Sequence, residues 1–170
     1  MAPTAGSNIG FFTDVGRTRS ENQDTFAVRE LSWGNLLVVC DGMGGHLGGR
    51  VASKLAAETI VHEVEVADIH PEDPHQVRSL LERCLLRANT EVFRAAKKSP
   101  EVYNMGTTAV VVLVIGKLAY VGHVGDSRLY LARSGRAVRL TRDQTAAQAM
   151  MEMGHLSADD VKAHPESHKL

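Results

Sequence analysis

The stretch Val38-Val39-Cys40-Asp41-Gly42-Met43-Gly44-Gly45-His46 decides the fold prediction. The apolar run over residues 36–40 stops at an acid, and glycines follow at positions 42, 44, 45, 48 and 49. This pattern predicts a buried strand that ends at Asp41, a tight glycine loop, and a helix that begins at Arg50. A rigid strand end can hold a functional carboxylate in place, and glycines let backbone and ligand approach it closely. The alternative is a strand that ends in an ordinary Asp-Gly turn.

The composition is that of an ordinary globular domain. The 170 residues are 44% hydrophobic and 23% charged, and this length is typical of one domain with its own core. The formal net charge of −1 gives no electrostatic basis for binding nucleic acid or an anionic membrane. The longest apolar run, over residues 109–115, is too short to span a bilayer. We therefore expect neither nucleic acid nor a membrane as a partner.

The N-terminus and the cysteines favour a cytoplasmic location. Residues 1–8 are small and polar, without the apolar core of a secretory leader, and we expect them to form a disordered tail. Cys40 and Cys84 lie far apart in apolar contexts, which is typical of buried free thiols in a reducing compartment.

Besides the central strand, the first half of the chain predicts two strands and two helices. The strands cover residues 9–13 and 25–28 and flank a polar loop. The first helix covers residues 50–66. The second begins at Asp73, whose side chain suits an N-cap, with Pro74 at the first helical position, and it presents a wide apolar stripe.

The second half is rich in strands. Strands over residues 107–115 and 118–124 are joined by a two-residue turn, and another pair covers residues 129–132 and 137–140. A helical pattern then covers residues 143–153. The order of strands, a helix pair and hairpin-connected strands predicts an α+β fold with antiparallel sheets.

Three acids at strand–loop junctions, Asp24, Asp41 and Asp126, are the candidate functional residues. Their hard oxygens suit Mg²⁺ or Mn²⁺, and carboxylates that hold two such ions about 4 Å apart activate water for attack on phosphorus. The planar guanidinium of Arg19 suits a phosphate group, and His46 is suited to donate a proton to a leaving oxygen. These residues raise a metal-dependent phosphoester hydrolase as one hypothesis. The alternative remains open, because a charged loop such as the one around Arg19 is usually a plain solvated turn.

Two other phosphate-binding motifs are excluded. A dinucleotide fingerprint that began at Gly42-Met43-Gly44 would need glycine where the chain has Leu47. A P-loop is excluded because the only Gly-Lys pair, Gly116-Lys117, lies at a predicted hairpin and is followed by Leu118.

Four short motifs occur in order along the chain: Asp14-x-Gly16-x-x-Arg19-x-x-Asn22-Gln23-Asp24, Asp41-Gly42-Met43-Gly44-Gly45-His46, Gly106-Thr107-Thr108 and Gly125-Asp126-Ser127-Arg128. Together they resemble the metal-dependent protein phosphatases, the protein phosphatase 2C family, and in particular its bacterial serine/threonine phosphatases. The resemblance covers nearly the whole chain from about Ile9. It implies an antiparallel β-sandwich flanked by helix pairs, and metal-dependent dephosphorylation of phosphoserine and phosphothreonine proteins.

The resemblance also implies a metal site with two ions, or three in a complete domain, of Mn²⁺ or Mg²⁺. Asp41 would bridge two ions and Gly42 would offer its carbonyl oxygen to one of them. Asp24 would hold metal-bound water or lie in the outer shell. Asp126 resembles the ligand of a third, weaker ion.

Three residues carry the implied catalysis: Arg19, Asp41 and His46. Arg19 would bind the substrate phosphate, and His46 would be the general acid for the serine or threonine oxygen. A hydroxide that bridges the metal ions at Asp41 would attack phosphorus in line, without a phospho-enzyme. Residues 144–170 resemble the family's mobile flap segment.

The chain departs from the family pattern at Gln23, where some members have glutamate, and at its end. The family continues through Ser-Asp-Gly and Asp-Asn segments whose acids complete the metal site, and these segments are absent from the chain. We therefore expect residues 9–170 to be the N-terminal part of a single phosphatase domain, able to self-associate through its incomplete sheet. Two hypotheses remain: a catalytic phosphatase, and a truncated non-catalytic module that acts as a phosphoprotein-binding or interaction domain.

Overall fold

A computed structural model describes residues 9–170, apart from the side chains of His46, Lys162 and His168. The chain divides into two compact units, one that extends through Gly122 and one that covers His123–Leu170. The tail expected over residues 1–8 lies outside the described residues. No helix in the described part of the chain is both long enough and apolar enough to cross a membrane.

The first unit is built on an antiparallel sheet. Its strands lie in the order β1-β2-β4-β5, with the short strand β3 paired to the end of β2. The bounds are β1 (Asp24–Leu31), β2 (Gly34–Met43), β3 (Gly106–Thr107), β4 (Ala109–Ile115) and β5 (Leu118–Val124). The strand predicted over residues 107–115 is therefore interrupted at Thr108, and the turn predicted at residues 116–117 joins β4 to β5.

Two long helices, α1 (Gly45–Glu65) and α2 (Pro74–Ala96), form the second layer. The start of α2 is as predicted, because Pro74 occupies the first turn and the Asp73 carboxylate accepts the His75 amide at 2.9 Å. A 3₁₀ turn at Pro100–Val102 leads from the helices back to the sheet.

The core lies between the sheet and the helices, as the alternation along β2 shows. Leu36, Val38 and Cys40 are 0–1% exposed, whereas Val39, on the opposite face, is 49% exposed. A strand with one buried face and one open face is typical of an antiparallel sheet that is covered on a single side. Helices α1 and α2 supply that cover through apolar side chains that include Ile60, Val64, Val77 and Leu80.

Two predictions for the first unit are wrong. Residues 9–13 are not a strand, because among the described residues they have no neighbouring strand to satisfy their backbone hydrogen bonds. The Phe11 ring instead lies 4.6 Å from the ring of Phe26 on β1. Helix α1 begins at Gly45 rather than Arg50, so most of the expected glycine loop is helical.

The second unit contains a hairpin and a short helix. Strands β6 (Tyr130–Arg133) and β7 (Arg136–Arg139) pair antiparallel across the predicted turn at residues 134–135. The helix predicted over residues 143–153 is shorter: α3 covers Ala146–Glu152, and two 3₁₀ turns follow, Val161–Ala163 and Pro165–His168.

The late start of α3 has a local cause. The Thr145 hydroxyl accepts the Gln148 amide at 3.2 Å and so serves as the N-cap. Asp143 and Gln144 are left outside the helix, where both side chains bind the loop that contains Asp126. At the other end, Gly154 has φ of 79° and donates to the Met151 carbonyl, which confirms it as the helix stop.

Candidate active site

Asp24 and Asp41 lie directly opposite each other on β1 and β2. Both are exposed, and they lie on the sheet face that the helices leave open. Residues paired in this way have Cβ atoms about 4.5–5.5 Å apart, and like charges directly opposite each other repel. A cation between the two carboxylates removes that repulsion, so the pair is suited to hold one.

The backbone of Asp41 is held by the Gly106-Thr107-Thr108 segment. The Asp41 amide donates to the Thr108 hydroxyl at 3.0 Å, and its carbonyl accepts from the Thr108 amide at 2.9 Å and the Thr107 hydroxyl at 3.0 Å. Thr108 is 3% exposed, so water competes little for these bonds. The sequence analysis identified this segment only as a motif. In the structure the segment fixes the backbone from which the Asp41 carboxylate projects.

Gly42 lies in a space too small for a side chain. A Cβ atom at this position would come 2.0 Å from the Gly49 carbonyl oxygen and 2.8 Å from the Gln23 carbonyl oxygen. Gly49 is restricted in the same way, since its Cβ would come 2.8 Å from the Gly42 carbonyl oxygen. The first turns of α1 therefore approach the end of β2 backbone to backbone at Gly49, whereas a Cβ atom on Gly48 would instead come 3.1 Å from the Met105 Cβ.

Sequence reasoning noted Gln23 only as a departure from the family pattern and missed Ser53. The two residues join β1, β2 and α1. The Gln23 carbonyl accepts from the Gly42 amide at 3.2 Å and from the Ser53 hydroxyl at 2.6 Å. The Gln23 side-chain amide donates to the Gly45 carbonyl at 2.6 Å. Ser53 is 0% exposed, and a buried hydroxyl within an apolar helical pattern is the signal that could have identified it.

The polar loop before β1 is closed by Asn22. Its side-chain amide donates to the Thr13 hydroxyl at 2.6 Å, and its carbonyl oxygen accepts the Asp24 amide at 3.0 Å. Asp14 accepts the Gly16 amide at 2.7 Å in a tight turn. Arg19 lies exposed within this loop, so its guanidinium is accessible to an anion from solvent.

Two other predicted site residues, Asp126 and His46, are each placed by their own segment. Asp126 belongs to the second unit, where it is half-buried in the loop between β5 and β6. His46 lies in the first turn of α1, but its side chain lies outside the described residues. Within the first unit, the structure brings together Asp24, Asp41 and Gly42 from the predicted set.

The donor set fits a hard divalent cation. The described residues contain no group of three or more His, Cys, Asp and Glu side chains arranged to hold a metal ion. Mg²⁺, however, binds proteins through one or two carboxylates while keeping several waters. The facing carboxylates of Asp24 and Asp41 meet that requirement. The neighbouring thiol does not compete, because burial raises the pKa of Cys40 to about 12 and keeps it neutral.

Comparison with known proteins relates nearly the whole of this chain to a family. The family model of protein phosphatase 2C matches residues 16–170. The serine/threonine protein phosphatase PstP of Mycobacterium tuberculosis is 29% identical over 155 residues, which are 91% of this chain and 28% of PstP. A solved S. agalactiae serine/threonine phosphatase is 28% identical with a TM-score of 0.85, over 94% of this chain and 65% of that one.

A second solved structure contains metal. The catalytic domain of PstP in complex with two manganese ions is 30% identical with a TM-score of 0.68, over 85% of this chain and 59% of that one. This chain belongs to the protein phosphatase 2C family, and its α+β fold is the fold of that family. It spans about 28% of the length of PstP and about six tenths of the two solved chains.

Proposed function

We propose that this chain carries the catalytic centre of a metal-dependent protein phosphatase that hydrolyses phosphoserine and phosphothreonine in proteins. The observation that carries the proposal is the pair Asp24 and Asp41, exposed and opposite each other, with the Asp41 backbone held by Thr107 and Thr108. Such a carboxylate pair on a rigid strand is suited to hold Mn²⁺ or Mg²⁺.

Each proposed role follows from the chemistry of the group that performs it. Asp41, Asp24 and the backbone carbonyl of Gly42 would hold the ions. When bound, the metal supplies Lewis acidity that activates water and neutralises charge on the phosphoryl group. Arg19 binds two phosphate oxygens through its planar fork and so orients the ester. His46 gives a proton to the departing serine or threonine oxygen.

The test is hydrolysis of p-nitrophenyl phosphate and of a phosphothreonine peptide by the purified chain, with Mn²⁺, with Mg²⁺ and with chelator. We expect Asp41→Asn to abolish hydrolysis that the parent chain shows with metal. Asp68→Asn is the matched control, since it removes an exposed carboxylate from the loop after α1 and leaves the pair intact. Equal rates for the parent chain and Asp41→Asn would overturn the proposal.

The same samples decide the alternative. A folded chain that binds the phosphothreonine peptide through Arg19 but releases no phosphate would be a phosphoprotein-binding module. Arg19→Ala would then abolish peptide binding, whereas in the catalytic case it lowers the hydrolysis rate and raises KM.

The cellular setting and organisation are further parts of the proposal. A phosphatase of this type acts in signalling, and the two buried free thiols fit the reducing cytoplasm. We propose that residues 9–170 belong to one domain, with residues 144–170 as its flap, and that phosphoproteins are its partners.

Self-association is the last part of the proposal. In the described sheet β1 pairs only with β2, and Val39 and Met43 on the open face of β2 are 49% and 47% exposed. A second copy presents the same strand edge and the same apolar face. Light scattering should show a dimer or larger species, and a monomer at high concentration would contradict it.

A further inference from the structure

The loop that contains Asp126 is bonded on both sides to the segment that precedes α3. On its N-terminal side, the backbone amide of Gly125 donates to the side-chain oxygen of Gln144 at 2.9 Å. The backbone amide of Gln144 donates to the Gly125 carbonyl at 3.0 Å. These two bonds fix the residue immediately before Asp126. Gly125 is buried with φ of 97°, a conformation that favours glycine.

On the C-terminal side, an ion pair fixes Arg128. The Arg128 Nε lies 3.0 Å from Asp143 Oδ1, and its Nη2 lies 2.6 Å from Asp143 Oδ2, which is the two-bond geometry of guanidinium with carboxylate. Arg139 approaches the same carboxylate at 3.5 Å. The Asp143 side chain is 16% exposed, so solvent screens this pair less than it screens a pair on the open surface.

A third set of bonds continues the attachment along the chain. The Leu129 amide donates to the Thr141 hydroxyl at 3.0 Å, and the Leu140 amide donates to the Leu129 carbonyl at 2.8 Å. Asp126 and Ser127 are therefore the two residues between fixed points at Gly125 and Arg128. A short loop anchored at both ends has few backbone conformations, so the direction of its side chains is set by its anchors.

We propose that Asp143 and Gln144 are positioning residues for the Asp126 carboxylate, and that they tie a divalent cation bound at Asp126 to the start of the segment 144–170. The inference rests on the proposed function for the identity of the ligand. Its basis is the set of bonds around the loop. Asp143 contacts Arg128, and Gln144 contacts Gly125. Both residues therefore act on the cation only through the loop.

The test reports binding directly and needs no turnover. Mn²⁺ is titrated into the ¹⁵N-labelled chain, and paramagnetic broadening of the amide signals of residues 125–127 is followed. We expect Asp143→Asn and Gln144→Ala each to raise the Mn²⁺ concentration for half broadening about tenfold, the usual effect of losing a partner that orients a metal ligand. The amides of Gly125 and Leu129 should also exchange with solvent faster.

Glu152→Gln is the matched control, because it removes an ion pair of the same unit, Arg142–Glu152 at 2.5 Å, and leaves the bonds around the loop intact. Asp143→Glu should restore part of the Mn²⁺ response. If Asp143→Asn does not fold, Arg128→Lys decides, since it keeps the charge and loses the planar fork.

An unchanged Mn²⁺ response in a folded Asp143→Asn chain would overturn the inference. The inference would also be overturned if Mn²⁺ did not broaden the amide signals of residues 125–127 in the parent chain. That second result leaves the proposed function standing, because hydrolysis that depends on Asp41 is measured separately.

Discussion

Thr108 bonds to Asp41 in both directions: its hydroxyl accepts the Asp41 amide at 3.0 Å, and its amide donates to the Asp41 carbonyl at 2.9 Å. The interruption between β3 and β4 falls at this residue, so the break in the strand is the point at which the candidate catalytic aspartate is held.

Thr108→Val keeps the shape of the side chain and removes the acceptor for the Asp41 amide. We expect a loss of about 1–3 kcal/mol in the free energy of unfolding, the cost of leaving a buried donor unpaired. We also expect a lower hydrolysis rate, because the Asp41 carboxylate is less well placed. Urea unfolding and steady-state kinetics measure the two effects. Thr90→Val, which removes only a hydroxyl bond within α2, should change both by little.

Gly42→Ala should destabilise the fold by about 1–3 kcal/mol or more, as an atom forced into a filled space does. The added Cβ would lie 2.0 Å from a backbone oxygen of α1, so relief requires movement of the helix. Gly10→Ala is the control, since its Cβ meets nothing within 4 Å. Thermal unfolding of both variants measures the difference, and equal midpoints would show that the approach of α1 to β2 is looser than described.

Stability should depend on pH through Asp143. Its bonds with Arg128 hold the pKa of this carboxyl below its usual value. As pH falls, the Asp143 carboxyl therefore takes up a proton in the unfolded chain before it does so in the folded chain. The contribution of the Arg128–Asp143 pair to the free energy of unfolding is present above the unfolded pKa of about 4 and is lost as pH falls through the folded pKa. Because the pair is partly exposed, we expect it to add about 1 kcal/mol to the free energy of unfolding at neutral pH.

Unfolding of the parent chain and of Asp143→Asn along a pH series measures that contribution. The difference between them should be constant near neutrality and vanish in acid. A difference that grows in acid would mean that Asp143 is not ionised in the folded protein.

Neither cysteine should react in the folded state. Cys40 and Cys84 are 0% exposed, and burial raises the pKa of Cys84 to about 11. A thiol-specific reagent at mildly alkaline pH should modify neither thiol in the native chain and both in denaturant. Rapid modification of the native chain would indicate that the layer between the sheet and the helices opens readily.

Local signals predicted the elements that local chemistry determines. The start of α2 follows from Asp73 and Pro74, and the end of α3 follows from Gly154, because a cap is decided by two or three neighbouring residues. The start of α1 could not be predicted in this way. Glycines at positions 45, 48 and 49 disfavour a helix by propensity, but the close packing of Gly49 against β2 and of Gly48 against Met105 favours it.

The candidate site shows the same division. The sequence identified Asp24 and Asp41 by their positions after polar and apolar runs, but only strand register places them opposite each other. The helical pattern predicts that Asp143 lies within a helix. The bond between Asp143 and Arg128 could not be predicted, because it joins residues 15 apart in the chain and leaves no periodic signal. The strand predicted over residues 9–13 failed for a related reason, because a strand requires a partner that its own residues do not specify.

The amide of Gln23 has a consequence for the acid behaviour of the protein. It donates to the Gly45 carbonyl, a bond that glutamate at this position would make only when protonated. An amide carries no titrating proton, so this junction between β1 and α1 is indifferent to pH. The Arg128–Asp143 pair of the second unit titrates instead. As acidity rises, the chain should loosen first around Asp126, while the strands that carry Asp24 and Asp41 keep their arrangement.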